Sequence, residues 1–440
     1  MNDQSCIQEP HWVPGDGTGL AIPADAQALR QGGADYLTHI FRACGVLDAA
    51  NRVTEIREFA PFVAGGTGSK LQLAVAYAQP TAGLQTQLFV KFSRNFADPI
   101  RDRVRFMLQP EIQFAALSRE PGFPIVVPEC YFADFHQSSG TGMLITGRIP
   151  YGENGVEPQH VKCMDHVLPD PVGHYRAIMK ALGCLSGTHR AGRLPAGFYQ
   201  VFPFQRQQAM AADPLRYRGD QLARRLSRLQ TFASSYPQLL PDNVRDPVFL
   251  RQFADQAPQL VAREQAIRQW LYSDDDMIAL CHWNANVDNA WFWQDDSGEL
   301  TCGLMDWGAV GQMNVAKSIY GAFSGANPVL WDNHLDEMLA TFADAYQACG
   351  GPRLTLETLR SQVLLVTGLM GVGYLLDAPA IIERRLGDPG AFEGPRDPRL
   401  LDIEDARVQL HMLTMCLNLW QTRDIGQLIA QFPTDVQEFV

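Results

Sequence analysis

Asn289 and Asp306 bear side-chain oxygens at the two ends of a segment that reads as a β-hairpin. Ala290-Trp291-Phe292-Trp293 leads into the turn Asp295-Asp296-Ser297-Gly298, and Leu300 to Met305 returns. An antiparallel hairpin brings its entry and exit together, so this amide and this carboxylate are expected at one site. Two hard oxygen donors suit magnesium. Read alone, Asp306 would also suit a turn that ends a strand. Ahead of the hairpin lies a polar loop, His282 to Asn289. Further upstream are Lys91 in a strand-like run, Glu111 just after Pro110 at a helix start, and a turn Gly65-Gly66-Thr67-Gly68-Ser69. Each of these has an ordinary structural explanation taken singly.

Their order carries more than any one of them. A glycine turn between strands, a strand lysine, a helix glutamate, His282-x-Asn284-x-x-x-x-Asn289 and Asp306-Trp307-Gly308 follow one another along the chain. This series resembles the protein-kinase-like superfamily in its small-molecule branch, the aminoglycoside phosphotransferases and choline or ethanolamine kinases, over roughly residues 57–375. The resemblance implies ATP and Mg2+ as cofactors and a small-molecule hydroxyl acceptor. It places Lys91 on the nucleotide phosphates with Glu111 as its ion-pair partner, and Asn289 and Asp306 on the metal. Gly65, Gly66, Gly68, Ser69 and Lys70 fall in a string similar to the phosphate-side turn of choline kinases, although a tight hairpin turn without a ligand reads the same way. His282 and His189 are implied to be structural.

One position departs from the pattern. The family has aspartate where this chain has Asn284, and an amide is no useful base. A positioned general base is worth roughly 10²–10⁴ in rate, whereas positioning and electrostatics supply most of phosphoryl transfer. Two readings stay open: a slow kinase in which Asn284 orients the hydroxyl, and a pseudokinase that binds nucleotide without turnover. Asp288 is the one other carboxylate in the loop and a candidate substitute. Gln312 and Asn314 also stand where relatives often carry carboxylates, which fits either a decayed site or a loop rebuilt around amides.

The elements that must hold these residues are legible from periodicity. Strands are expected at Arg57–Val63, Leu71–Ala78, Gln87–Phe92, Ile125–Val127, Tyr131–Phe135 and Met143–Ile149, with a helix from Pro110. Helices are expected over Tyr175–His189, Asp220–Ala233 and Phe249–Leu271. The fold class is therefore α+β: a two-lobed, kinase-like arrangement with a small, mostly antiparallel β-sheet N-lobe (34–150) and a larger helical C-lobe (151–440), after a tail at 1–33. The helical stretch from about Gly192 to Ser273 falls where relatives insert helices that help form the acceptor pocket.

Composition narrows the partners. The chain has 440 residues, 46% of them hydrophobic, and a formal charge of −12 without a dense basic run, which disfavours nucleic acid and anionic membranes. Nine scattered cysteines without a Cys-x-x-Cys pair, and an N-terminus without an apolar core, point to a reducing cytoplasm. The apolar run Val363–Leu376 is shorter than the ~20 residues of a spanning helix and is expected to be a buried core helix. Trp283, Trp291, Trp293, Trp307 and Trp331 could meet a choline-like ammonium through cation–π contacts, with core packing the commoner role.

Overall fold

The computed structural model describes residues 12–62 and 65–434 and divides into two compact units. The first comprises residues up to Asn154 together with Leu194–Val201 and Gly303–Val310; the second comprises Gly155–Arg193, Phe202–Cys302 and Gly311 onward. Its composition is α+β, with a small antiparallel sheet in the first unit and mostly helices in the second.

In the first unit, β1 (Trp12–Pro14) and β2 (Ala21–Pro23) form a small ribbon, followed by helix α1 (Ala26–Ala43). Then come β3 (Val53–Phe62), β4 (Ser69–Tyr77) and β5 (Gln87–Phe92), the helices α2 (Pro99–Arg103) and α3 (Gln109–Leu117), and β6 (Cys130–His136) and β7 (Thr141–Gly147). The sheet order is β3-β4-β5-β7-β6, antiparallel throughout. Leu71, Leu73 and Val75 of β4, with Leu88, Val90 and Phe92 of β5, alternate into a core that also takes Leu37, Ile40 and Phe41 from α1. That period-two burial is what a half-covered sheet demands.

Two expectations are corrected here. Residues 12–33 are not a tail. They carry β1, β2 and the first turns of α1, and they are tied down because buried Asp134 accepts the backbone N–H groups of Gly17 (3.0 Å) and Thr18 (2.8 Å). Residues 1–11 lie outside the described residues, as does Val63. Ile125–Val127 is not a strand either: Val126 makes a single bridge to Gly303, and the prolines at 124 and 128 limit longer pairing.

In the second unit α4 (Pro171–Arg190) is followed by helices at Gln221–Ser235, Pro247–Val261 and Glu264–Leu271, so the single helix expected over 249–271 breaks at Ala262 and Arg263. Strand β8 (Ile278–Cys281) ends at the loop of interest. Next, β9 (Ala290–Gln294) pairs with β10 (Leu300–Leu304), forming the anticipated hairpin, and β11 (Gly311–Asn314) returns antiparallel to β8 with Cys281 opposite Gly311. The helix Leu356–Tyr374 contains most of the apolar run. The stretch Leu356–Leu386 is long and apolar enough to cross a membrane by length and composition, yet 67% of its most apolar window is buried within the protein, as in a core helix.

Candidate active site

The first unit gathers charge. Lys91 on β5 donates from Nζ to Glu111 Oε1 at 2.6 Å, and both side chains are nearly buried. Glu111 sits in the first turn of α3, where a carboxylate is also favoured by the helix dipole. The same Nζ donates to Asp306 Oδ1 at 3.2 Å. Burial pulls the Lys91 pKa down, but Glu111 and Asp306 outweigh it and hold the ammonium above its ordinary value.

Lys70 stands directly opposite Lys91 in the β4–β5 register. Like charges placed so are repulsive. Burial lowers the Lys70 pKa, and the Lys91 ammonium lowers it further. Two facing ammonium groups at the root of a glycine turn suit a polyanion, which would offset their mutual repulsion. The turn is built for close approach: Gly68 has φ 55°, and a Cβ there would lie 1.9 Å from the Phe92 carbonyl oxygen, so no other residue fits without moving β5. Asn95 Nδ2 holds the Gly68 carbonyl at 3.1 Å and Ser69 donates to the Arg94 carbonyl at 3.2 Å.

Asp306 is positioned by its neighbour. Trp307 stacks on Phe114 with centroids 3.8 Å apart and planes 13° apart, and its Nε1 donates to the Leu304 carbonyl at 3.0 Å. Phe114 follows Glu111 by three residues on α3, so one helix face orients both carboxylates around Lys91. Asp306 has φ 64°, a left-handed conformation that aspartate adopts more readily than most residues. Its side chain remains 54% exposed.

The second unit offers amides instead. Asn284 N–H donates to His282 Nδ1 at 3.0 Å, and Asn284 Oδ1 accepts from Asn286 Nδ2 at 2.5 Å and from Lys162 Nζ at 3.3 Å. Asn289 Nδ2 donates to the Asn284 carbonyl at 2.8 Å, so its amide nitrogen is committed within the loop. Asn286 is fully buried; it also donates to the Gly321 carbonyl at 2.9 Å and accepts from Gly325 N–H at 3.0 Å. The helix Val315–Phe323 clamps the loop from beneath. Ser318 donates to the His282 carbonyl at 2.7 Å, and a Cβ on Gly321 would lie 1.6 Å from the Trp283 carbonyl oxygen. Asp288 lies in the turn Val287–Asn289, and its charge is felt at Cys163 and Tyr175.

No protein-family model and no curated protein matches the sequence. Solved small-molecule kinases do align with it. A choline kinase from Cryptosporidium parvum Iowa II is 12% identical with a TM-score of 0.42, covering 86% of this chain and 90% of that one. An ethanolamine kinase from Plasmodium vivax is 13% identical with a TM-score of 0.41, covering 84% and 83%. A spectinomycin phosphotransferase, solved with ADP and spectinomycin, is 10% identical with a TM-score of 0.39, covering 89% and 98%. These are kinases of the kind the motif order resembles; at such identities and TM-scores the likeness assigns neither activity nor substrate to this chain.

Several contributors were not visible in the sequence reading. Lys162, 122 residues before Asn284, has no motif around it. Asn286 could have been noticed from the Asn284-x-Asn286 spacing within the loop. Gln312 Nε2 donates to the Phe202 carbonyl at 2.6 Å, and Asn314 Nδ2 donates to Gln362 Oε1 at 2.6 Å and to the Leu271 carbonyl, while Asn314 Oδ1 caps the next helix at Ala316 N–H. A carboxylate could not make those donations. His189 is buried at the end of α4, and its pKa is pushed down to about 4 by burial and then by Arg190. Glu157, His160 and His174 form a tight cluster in which Glu157 Oε2 bonds both imidazoles, at 2.7 and 2.8 Å. Among the tryptophans, Trp331 is fully buried and Trp291 stacks with Trp293, so most serve packing.

Proposed function

We propose that this chain is an ATP-dependent phosphotransferase that transfers phosphate to a hydroxyl of a small molecule. The observation that carries the reading is the convergence of Lys70, Lys91, Glu111 and Asp306: opposed ammonium groups at a glycine turn, one of them locked by a buried carboxylate. That set suits a nucleoside triphosphate better than a carboxylate or a single phosphate, since it offers more than one cation beside a backbone open to close approach.

Asp306 and Asn289 are the residues that would hold magnesium. The donor chemistry fits: an exposed carboxylate, and an amide whose nitrogen is already engaged, so that its oxygen is left to face a cation. Magnesium would neutralise charge developing on the phosphates. Lys91 and Lys70 would bind and orient the triphosphate, and Asn284 would align the acceptor hydroxyl through its amide oxygen.

That same oxygen supports a second reading. It already accepts from Asn286 and Lys162, as it would in a nucleotide-binding module without turnover. Acceptor-dependent ADP release separates the two. Asn284→Asp is a clean variant because it exchanges only the amide nitrogen for an oxygen and keeps the Oδ1 that accepts from Asn286 and Lys162, so both donors keep their target. The kinase reading expects slow, magnesium-dependent ADP release with a panel of small alcohols, and a rise of roughly 10²-fold in the variant. If neither protein releases ADP above a magnesium-free control, the pseudokinase reading stands.

A further inference from the structure

Beside the asparagine loop, the second unit holds a cavity of about 200 Å³ whose carboxylate, imidazole and guanidinium lining is Asp165, His166, Arg396, Arg407 and His411. Arg407 is 9% exposed, and its guanidinium donates to two carbonyls, that of Lys162 at 3.3 Å and that of Leu401. No carboxylate pairs with Arg407, Arg396 or Lys162 among the described residues. A guanidinium is always charged and offers five donors, so burying one without an anion leaves its desolvation uncompensated.

The other groups do not neutralise it. Both oxygens of Asp165 are engaged, by Asn327 N–H at 2.8 Å and by Tyr175 Oη at 3.3 Å, and burial pushes its pKa up to about 6. His411 is held below its ordinary pKa by burial, and its Nε2 meets the Ala326 carbonyl at 2.9 Å. His166 is likewise lowered, by burial and then by Arg396. Near neutral pH the fixed charges facing the cavity are therefore two guanidiniums against one carboxylate.

Lys162 links this cavity to the loop. Its carbonyl accepts from Arg407 on the cavity wall, while its Nζ reaches Asn284 Oδ1, so a single lysine spans the distance between them. We propose that the cavity seats an anionic group, carboxylate or phosphate, of the acceptor, so that the hydroxyl phosphorylated belongs to a small acid rather than to an amine; this rests on the phosphotransferase reading. In the transfer, the bond from the γ-phosphorus to the bridging oxygen of ATP breaks, the bond to the acceptor oxygen forms, the hydroxyl proton passes to solvent and ADP leaves. Lys162 then lies where negative charge gathers on the acceptor oxygen, beside a loop whose base position is the amide of Asn284.

The test is a thermal-shift titration of the full chain at constant ionic strength with glycolate, glycerol 3-phosphate and choline, with Mg-ATP run in parallel. One of the two acids is expected to give a saturable shift, and which one identifies the anion. Arg396→Ala, at an exposed position, should weaken its apparent affinity by about tenfold, and Arg407→Lys should also weaken it. A response to choline alone, no saturable response to either acid, or an acid response unchanged in both variants overturns the proposal. A shift with Mg-ATP but none with the acids retains the kinase reading and removes this one. An arginine-dependent acid shift without any Mg-ATP response does the reverse, leaving an anion site in a protein that is not a kinase.

Discussion

The two candidate half-sites are built from opposite materials. Around Lys91 the first unit places two carboxylates and a second lysine, with the strongest contact a buried ion pair. Around Asn284 the second unit places Asn286 and Asn289, and at the foot of the loop Gln312 and Asn314, all bonded through neutral amides. Carboxylates surround the lysine of the first half-site, whereas amides and the Lys162 ammonium surround Asn284. In a decayed site the amides would be idle. Here the nitrogens of Asn286, Asn289, Gln312 and Asn314 each donate to a named acceptor, which favours a loop organised around amides.

That contrast can be broken most forcefully at Glu111. Truncation to alanine leaves Lys91 buried with only exposed Asp306 beside it, and removing one partner of a buried pair typically costs about 3–5 kcal/mol. Urea unfolding should show a loss of that order; a loss under about 1 kcal/mol would mean the pair is not the keystone of the first half-site. Restoring a carboxylate in the second unit should also destabilise. Asn314→Asp keeps the cap at Ala316 but sets an anion against the Leu271 carbonyl, for an expected loss of about 2 kcal/mol by the same measurement. A neutral or stabilising result would favour decay over rebuilding.

The smallest effect concerns His189. Its folded pKa lies below the unfolded value, so the unfolded state takes up the proton first as pH falls. Stability is undiminished above about pH 7 and is lost progressively between the unfolded value near 6.5 and the folded value of about 4. Between about pH 6.5 and 5.5 the loss should be about 1 kcal/mol. Asp165, with its raised pKa, acts in the opposite sense over the lower part of that window. The readout is therefore the difference between wild type and His189→Gln, which should lose this slope; parallel pH profiles would show that His189 does not titrate as described.

Much of the first half-site was legible because its chemistry follows chain order. Lys91 sits on a strand with clear alternation and Glu111 follows a proline that opens a helix, so their elements were legible from local signals, while their pairing was an expectation that the family resemblance implied. The bond from Lys91 to Asp306 could not, because Trp307 stacking on Phe114 sets it across 215 residues of chain. In the second unit the loop was visible as a polar interruption, yet the donor roles of Gln312 and Asn314 depend on carbonyls at Phe202 and Leu271, contributed by distant segments. Lys162 was invisible for the same reason. The misread tail at 12–33 failed differently: its strands are three residues long, too short for periodicity, and it is held by groups far along the chain, buried Asp134 and its neighbours Phe135 and Gln137.

The central claim is that the first half-site remains equipped for a magnesium nucleotide, and calorimetric titration of Mg-ATP into wild type and Lys91→Met tests it most directly. Saturable binding by the wild type, weakened by roughly 100-fold or more in the variant, is the expected result. Absence of binding by a folded wild type, or equal binding by both proteins, would contradict it.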